Sequence, residues 1–486
     1  MERRAAGVRR PMQRFRGRQR TMKVKKAHVR TMLPVASAGF ASFWAWFYLV
    51  LLSPYPASHA GDLSLVLKLA FLVGVLAVLL LVYLKRDLFS RTEHDPLPWA
   101  AALLSLPLGL LNLVAHYAAV PPAAFFAAWF LGGCGFSLIF LLWPKVFMVG
   151  WQKDVGAYLS ASALAGAVVY LFACELLPPY GDVALVLLPL ASLAVLHYVR
   201  THIVGSEQEP DSPLEQTRLF PLTGFTVAVF GALFGIALYL LCANLDAVDP
   251  LAVAAAVACG AGLHLALSVL VKRYVPFGTA EKVALLLLVV GFLGLAFLGP
   301  GLMLACCLFI VGVYVYLDFS NLSALVGFAS GHPSPFWRIA RGQLVLPAGM
   351  IVSWSLCMAI EYANPSLFAY VPYLALGLLL ALALLAAFVP FKDNTFADKT
   401  VKAEIVEGGY FKQRCNQAAQ TYKLSNREGE ILYYLAKGRN AQFIADELNI
   451  SAYTAKTHVY HIYQKMGINS QQELISIVDS TEVVYQ

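Results

Sequence analysis

Residues 63–84 read LSLVLKLAFLVGVLAVLLLVYL, an apolar run in which Lys68 is the single charged side chain. A helix needs about 20 mostly apolar residues to cross a bilayer, so this run predicts a transmembrane helix. The whole chain has the same character, because 59% of its 486 residues are hydrophobic and 13% are charged. Soluble domains are nearer a quarter charged. The composition therefore excludes a chain of ordinary soluble domains and predicts a membrane protein.

Further apolar stretches of similar length give an all-α, polytopic bundle with twelve predicted spans. They lie at 33–52, 63–84, 97–118, 122–143, 155–175, 181–199, 221–242, 250–271, 281–298, 301–322, 342–362 and 369–391. The polar break at 200–220 divides the spans into two groups of six. The two halves also have similar sequences at the ends of corresponding spans. The second span ends Leu84-Lys85-Arg86 and the eighth ends Val271-Lys272-Arg273. The pattern predicts two related six-helix halves.

The placement of Lys and Arg predicts the orientation. The even-numbered breaks carry basic residues such as Lys85, Lys145 and Arg200, whereas the odd-numbered breaks carry none. Residues 1–30 form a tail with twelve Lys/Arg and one Glu, which a translation start at Met12 or Met22 would shorten. Because short basic segments stay on the cytoplasmic side, we expect both termini in the cytoplasm and the bundle in the cell (inner) membrane.

The 6+6 arrangement of residues 33–391 resembles the major facilitator fold. The family's glycine- and arginine-rich signature is absent from residues 85–95, which argues against transport. The resemblance implies that spans one, four, seven and ten line a central cavity. By our boundaries these four hold 21 aromatic residues and the other eight spans hold 16. Such a cavity suits an apolar or aromatic small molecule, although aromatic residues also commonly face lipid or the interface. The candidate cavity residues are Phe43, Trp44, Phe47, Trp129, Phe234 and Tyr314.

Charged and polar groups inside the predicted spans are further functional candidates, because they are costly in lipid. Lys68 and Glu361 are expected either to pair, if the second and eleventh spans are neighbours, or to lie apart with Lys68 at the outer interface. Asp318, beside Tyr314 and Tyr316 near the end of the tenth span, is either a gate or an interfacial residue. The isolated histidines are expected to be packing residues rather than proton relays: His116, His197 and His264.

After residue 391 the chain becomes polar, and from residue 424 it predicts a small four-helix unit. Ser425 and Glu428 have the spacing of a capping box that starts the first helix, and Gly438 ends it. Ser451 is positioned to cap the third helix. That helix has an apolar stripe formed by Ala455, Val459, Ile462 and Met466. Its other face presents Tyr453, Lys456, Thr457, Tyr460 and Gln464. The fourth helix begins with a second capping box, Ser470 and Glu473, and directs Leu474, Ile475 and Val478 inward. Two helices joined by a tight turn at 449–451 form a helix-turn-helix.

Residues 424–478 resemble the LuxR-type (GerE-like) DNA-binding domain. The matching motifs are Leu-Ser-x-Arg-Glu at 424–428, Ile444-Ala445-x-x-Leu448, Ile450-Ser451, Thr454-x-Lys456-x-His458 and Ile462-Tyr463-x-Lys465-Met466-Gly467. Two positions depart from the family pattern: Ala455 replaces the usual Val, and Ala441 replaces the usual Asn, with Asn440 one place earlier.

The resemblance implies that the third helix reads double-stranded DNA in the major groove. The expected DNA-contacting residues are Thr454, Lys456, Thr457, Tyr460, His461, Lys465 and Asn440. Lys456, Thr457 and Tyr460 match base-facing positions, whereas Thr454 and Lys465 match backbone contacts. Asn440 is either a phosphate contact or a helix cap, and Tyr460 and His461 have an alternative role in helix packing or dimerisation. A balanced charge makes non-specific attraction to phosphate weak, so we expect a homodimer on DNA.

The predicted organisation has four segments: a basic tail at 1–30, a twelve-span sensor at 31–391, a linker at 392–423 and the DNA-binding domain at 424–486. No catalytic, disulfide or metal-binding pattern is visible, so we expect no enzyme activity, cofactor or metal. The sequence predicts a one-component transcription regulator whose transmembrane region binds a small-molecule ligand. The alternatives are a transporter with an appended regulatory domain, or a scaffold that only tethers the DNA-binding domain.

Overall fold

The computed structural model describes residues 34–53, 63–85, 96–150, 155–176, 180–203, 221–271, 277–329, 335–388, 414–448 and 450–481. Every regular element within these ranges is helical, which confirms the all-α prediction. The chain separates into two compact units, Met1–Val389 and Pro390–Gln486, and each has its own hydrophobic core. The predicted tail at 1–30, the loops at 54–62 and 204–220, the linker residues 392–413 and Asn449 lie outside the described residues.

The first unit has a helix at each predicted span. Its described helices are α1 Pro34–Leu52, α2 Ser64–Leu84, α3 Leu97–Ala115, α4 Pro122–Gly150, α5 Val155–Cys174, α6 Tyr180–Ile203, α7 Pro221–Cys242, α8 Pro250–Ala266, α9 Phe277–Phe297, α10 Pro300–Ala329, α11 Pro335–Gln343, α12 Val345–Ala363, α13 Pro365–Phe368 and α14 Val371–Phe388. Within the described segments, nine stretches are long and apolar enough to cross a membrane, and shorter apolar stretches in α7, α9 and α14 add three more.

Proline marks where many of these helices begin. Its ring fixes φ near the helical value, and the N–H that it lacks would be unpaired in the first turn anyway. Helices that start on proline are α1, α4, α7, α8, α10, α11 and α13. At α8 the preceding Asp249 adds a cap, because its carboxylate accepts a hydrogen bond from the Leu251 N–H at 2.8 Å. Local sequence therefore sets these helix starts.

The two halves of the unit repeat the same helix contacts. In the first half α4 packs on α2 and α3, and α3 packs on α6; in the second half α10 packs on α8 and α9, and α9 packs on α14. The halves meet where α5 packs on α8 and where α2 packs on α12. The similarity that the sequence shows only at the ends of two spans thus extends to the packing of these helices.

Glycines lie where neighbouring helices approach each other closely in both halves. A Cβ added to Gly74 on α2 would lie 2.1 Å from the carbonyl oxygen of Phe130 on α4. In the second half, a Cβ on Gly260 of α8 would lie 2.0 Å from the carbonyl oxygen of Gly312 on α10. Lipid gives helices little hydrophobic reason to associate, so small residues that bring backbones together contribute much of the packing.

The C-terminal unit contains five described helices: α15 at 414–421, α16 Asn426–Ala436, α17 Ala441–Glu447, α18 Ala452–Met466 and α19 Gln471–Ser480. Four of these were predicted. Helix α15 lies within the predicted linker, yet Cys415 and Ala418 are buried in the same core as α16 to α19. Their three-residue spacing, continued by Tyr422, was the sequence signal for an additional packed helix.

Candidate functional site

The six aromatic residues predicted to line a ligand cavity lie inside the first unit, Met1–Val389, which we call the membrane unit. Phe43, Trp44, Trp129, Phe234 and Tyr314 are buried, and Phe47 is partly buried and packed against the core. The five buried rings therefore do not face lipid, which was the alternative expectation.

The six residues do not form a single group. Phe43 and Phe47 both stack on Phe136 of α4, at centroid distances of 4.7 and 4.9 Å. Phe234 of α7 stacks on Tyr314 of α10 at 3.5 Å. Trp129 makes no ring contact with the other five among the described residues. None of the six lines the apolar groove of about 310 Å³ that is formed by Pro107, Leu110, Leu111, Val114, Ala124, Ala127, Ala128 and Leu131.

Lys68 and Glu361 do not pair with each other, because each has a different partner. Lys68 is 1% exposed, and its Nζ donates hydrogen bonds to the carbonyl oxygens of Leu51 at 2.9 Å and Ser53 at 3.3 Å. Glu361 instead accepts a hydrogen bond from the Tyr239 hydroxyl. The carbonyls at the C-terminal end of α1 carry partial negative charge, which favours a cation there. Because α2 packs this side chain beside that end, Lys68 bonds to the backbone of α1 and not to Glu361.

The remaining polar candidates are distributed across the unit. His116 Nε2 pairs with Asp182 at 2.5 Å, and His264 Nδ1 pairs with the Ser160 hydroxyl at 2.6 Å. His197 is exposed. Helix α10 continues to Ala329, beyond the predicted end at residue 322, so Asp318 lies well inside the helix.

In the C-terminal unit, α18 is fixed at both ends by the predicted signals. Ser451 Oγ accepts a hydrogen bond from the Thr454 N–H at 3.0 Å, and Gly467 ends the helix with a φ of 67°. Ala455 and Ile462 on the inner face are fully buried, and Met466 is 6% exposed. Val459 is only half-buried.

The outer face of α18 is open. Tyr453 and Tyr460 have relative exposures of 81% and 60%, and Lys456 and His461 are exposed as well. Lys456 makes no hydrogen bond or ion pair with any described residue. The Tyr460 hydroxyl accepts a hydrogen bond from Gln464 Nε2 at 2.7 Å, which holds its ring along the helix. The helix therefore presents a cation flanked by two aromatic rings.

Glu428 joins α16 to α18 through two short hydrogen bonds. One of its oxygens accepts from the Ser425 N–H at 2.7 Å, which completes the predicted capping box, and from Lys465 Nζ at 2.7 Å. Burial by itself raises the pKa of this carboxyl, but the hydrogen bonds from Lys465 and Ser425 outweigh it and lower the pKa to about 2. Glu428 thus stays ionised and anchors the start of α16 to the end of α18.

Three side chains of the C-terminal unit hold its helices together rather than projecting outward. Asn440 caps α17, because its side-chain oxygen accepts from the Phe443 N–H at 2.9 Å. Arg427 Nη2 donates to the Leu448 carbonyl oxygen at 2.9 Å. Gln471 Nε2 donates to the carbonyl oxygens of Leu435 and Arg439, both at 2.9 Å. These roles of Arg427 and Gln471 cannot be read from local sequence, since the three bonds end on backbone atoms distant in sequence.

The sequence of the C-terminal unit matches that of a known family. The pattern for "Bacterial regulatory proteins, luxR family" (GerE) matches residues 422–478. The C-terminal unit carries a LuxR-family DNA-binding domain. Among curated proteins, the chain is 35% identical over 97 residues to the oxygen regulatory protein NreC of Staphylococcus aureus strain bovine RF122 / ET3-1 and of strain MRSA252. These matches span 19% of this chain and 44% of each relative, so the similarity covers less than half the length of the relatives.

The membrane unit is similar to solved transporter structures in its fold. The major facilitator superfamily proton:xylose symporter XylE matches with a TM-score of 0.52 and 14% identity, covering 75% of this chain and 96% of XylE. A bacterial homologue of the iron transporter ferroportin, in an outward-facing state, matches with a TM-score of 0.50 and 15% identity, covering 74% of this chain and 98% of that chain. The membrane unit therefore has a major facilitator-like fold, as its six-plus-six pattern predicts.

The predicted DNA-contacting residues of the LuxR-family domain fall into two sets in the structure. Lys456, Tyr460 and His461 point outward from α18 with no partner on another helix among the described residues. Asn440, Thr454 and Lys465 are already engaged in caps or in the ion pair with Glu428. Thr457 lies between the sets, because its hydroxyl donates to the Tyr453 carbonyl oxygen at 3.0 Å and leaves its methyl group for contact. The side chains of the first set are therefore exposed and not engaged with another helix of the unit.

Proposed function

We propose that the protein is a membrane-integrated, one-component transcription regulator. Its LuxR-family domain reads DNA, and its major facilitator-like unit binds a small apolar or aromatic ligand and biases DNA binding through the linker. The observation that carries the proposal is the exposed Lys456 and Tyr460 on α18, in a chain whose described residues also form nine long and three shorter apolar helices. The protein acts without enzymatic chemistry, as a homodimer on DNA.

The base-reading role of Lys456 follows from its position. A free ammonium group on the outer face of a recognition helix donates hydrogen bonds to guanine O6 and N7 in the major groove. Lys456→Ala should cost about 1–3 kcal/mol of discrimination at one base pair and leave the helices intact. Lys437→Ala is the matched control, because Lys437 is also exposed but is bonded to Tyr433 at the end of α16.

The experiment uses the full chain with a C-terminal affinity tag. Crosslinked chromatin is immunoprecipitated to find the bound sites, and binding of the purified protein to base-substituted versions of one site is then titrated. We expect enrichment near particular genes, lost in Lys456→Ala and kept in Lys437→Ala. Equal weakening on every base-substituted site would assign Lys456 to phosphate, and absence of any bound site would reject the regulator.

The orientation belongs to the same proposal, because DNA lies in the cytoplasm. The Lys/Arg-rich breaks favour cytoplasmic termini in the cell membrane. In a background without native cysteines, an impermeant thiol reagent added to intact cells should label Ser58→Cys and should not label Ser206→Cys. The opposite labelling pattern would reverse the orientation and contradict DNA binding from the membrane.

A transporter that carries a regulatory domain is the second candidate, favoured by the likeness of the membrane unit to XylE. Vesicle uptake of a radiolabelled ligand separates the two, since a sensor binds without net flux. Accumulation against a gradient would establish transport.

A further inference from the structure

Five aromatic rings from three helices surround one part of the membrane unit's interior. Trp44 and Tyr48 of α1 stack with centroids 6.1 Å apart, and Trp44 meets Phe319 of α10 edge-on at 5.1 Å. Phe234 of α7 lies flat on Tyr314 of α10 at 3.5 Å. We name these five residues the ring cluster. Tyr314 and Phe319 both lie on α10, so this helix connects the two groups of rings.

Three polar atoms of the ring cluster are buried without a partner. The Trp44 Nε1 and the hydroxyl oxygens of Tyr48 and Tyr314 make no hydrogen bond within the described part of the chain. The three side chains are 4%, 3% and 7% exposed. A buried polar group without a partner destabilises a folded protein. These three atoms are therefore hydrogen-bonding groups with which a bound molecule can pair.

Asp318 adds a carboxylate to this region. It follows Tyr314 by one helical turn and precedes Phe319, and it interacts electrostatically with the hydroxyls of both Tyr48 and Tyr314. Asp318 makes no hydrogen bond or ion pair with any described residue. Asp318 is only partly buried, whereas the five rings of the ring cluster are buried. Lys68, a buried cation of this unit, is bonded instead to the end of α1.

A charge within a membrane is costly unless an opposite charge accompanies it. Aromatic faces bind organic cations because the ring face is negative, and this attraction strengthens when water is excluded. We propose that the ring cluster and Asp318 form a binding site for a protonated organic amine. This inference rests on the proposed sensor function and narrows its ligand to one chemical class. Asp318 pairs with the ammonium, the rings cover its apolar body, and the Trp44 N–H binds an acceptor atom on the ligand.

The test compares three probes of similar size that differ in charge: 2-phenylethylamine, 2-phenylethanol and phenylacetate. Tritiated 2-phenylethylamine is bound to the purified full chain in lipid nanodiscs at pH 7, and the other two compounds compete for it. We expect the amine to bind at least tenfold more tightly than the alcohol or the acid. Equal affinity for the amine and the alcohol in the wild-type protein would overturn the proposal without any variant.

Two substitutions of the same kind identify the carboxylate. Asp318→Asn should lose at least tenfold in amine affinity while its affinity for 2-phenylethanol stays within about twofold. Asp249→Asn is the matched control, because Asp249 is exposed at the start of α8 and Asn preserves its capping bond. It should bind all three probes as the wild type does. Unchanged amine binding in Asp318→Asn, or an equal loss in Asp249→Asn, would refute the assignment.

Binding to an immunoprecipitated DNA site is measured on the same preparations with and without the amine. Amine selectivity that leaves DNA binding unchanged supports the amine site and rejects the sensor function. DNA binding that persists without any amine selectivity rejects the amine site and leaves the regulator standing.

Discussion

Replacing Glu428 by Gln tests how the LuxR-family domain is held together. The Glu428 side chain is almost fully buried and accepts hydrogen bonds from the Ser425 N–H and from Lys465 Nζ. Gln can still accept the backbone bond of the capping box, so the substitution mainly removes the ionic link between α16 and α18. Lys465 is then left without its carboxylate partner.

The magnitude follows from the pKa of the carboxyl. A folded-state pKa of about 2, against an ordinary value of 4.5, corresponds to roughly 3 kcal/mol at most. Because the Lys465 side chain is 43% exposed, solvent screening reduces this value. We therefore expect Glu428→Gln to lower the free energy of unfolding by about 2 kcal/mol at pH 7. Since the folded pKa lies below the unfolded one, this contribution is complete above about pH 4.5 and declines as the pH falls toward 2.

The assay is urea unfolding of a fragment of residues 410–486, followed by circular dichroism from pH 7 to pH 2.5. The difference between wild type and Glu428→Gln should shrink as the pH falls through this range. Glu430→Gln is the control, because the Glu430 carboxylate is 54% exposed and pairs with Arg427, so its effect should be small. If wild type and Glu428→Gln lose stability in parallel with acid, the ionic link contributes nothing and the reasoning is refuted.

Three further predictions concern packing and caps. Ile462→Ala should destabilise the same fragment by about 2–4 kcal/mol and Val459→Ala by about 1 kcal/mol, because Ile462 is fully buried and Val459 is half-buried. Equal losses of stability in urea unfolding would contradict this difference in burial. Asn440→Ala should cost about 1 kcal/mol whereas Asn440→Asp should cost little, since Asp also caps helices; a DNA-binding defect in Asn440→Ala without loss of stability would instead show a phosphate contact. Gly74→Val should lower the thermal unfolding temperature of the full chain in detergent, because a Cβ at Gly74 would meet the Phe130 carbonyl oxygen, while Gly377→Val, where a Cβ meets no atom within 4 Å, should not.

Local patterns were sufficient for much of the DNA-binding domain. Ser425 and Glu428 form the predicted capping box, and Ser451 and Gly467 bound α18. The second capping box forms only in part: Ser470 accepts from the Glu473 N–H, but the Glu473 carboxylate bonds to the Asn469 N–H. These signals act over three or four residues, so they can be read without knowing the fold.

The sequence by itself determined the helical class, the approximate span positions and the LuxR-type motif, because hydrophobic periodicity and capping are properties of short segments. Only the tertiary structure decided which polar side chains meet. Lys68 bonds to the end of α1 rather than to Glu361, and Lys465 bonds to Glu428 across 37 positions. It likewise placed Asp318 within an aromatic region contributed by three helices. Such contacts depend on the rotation of each helix and on how closely glycines let it approach its neighbour, and neither quantity is encoded in a single segment.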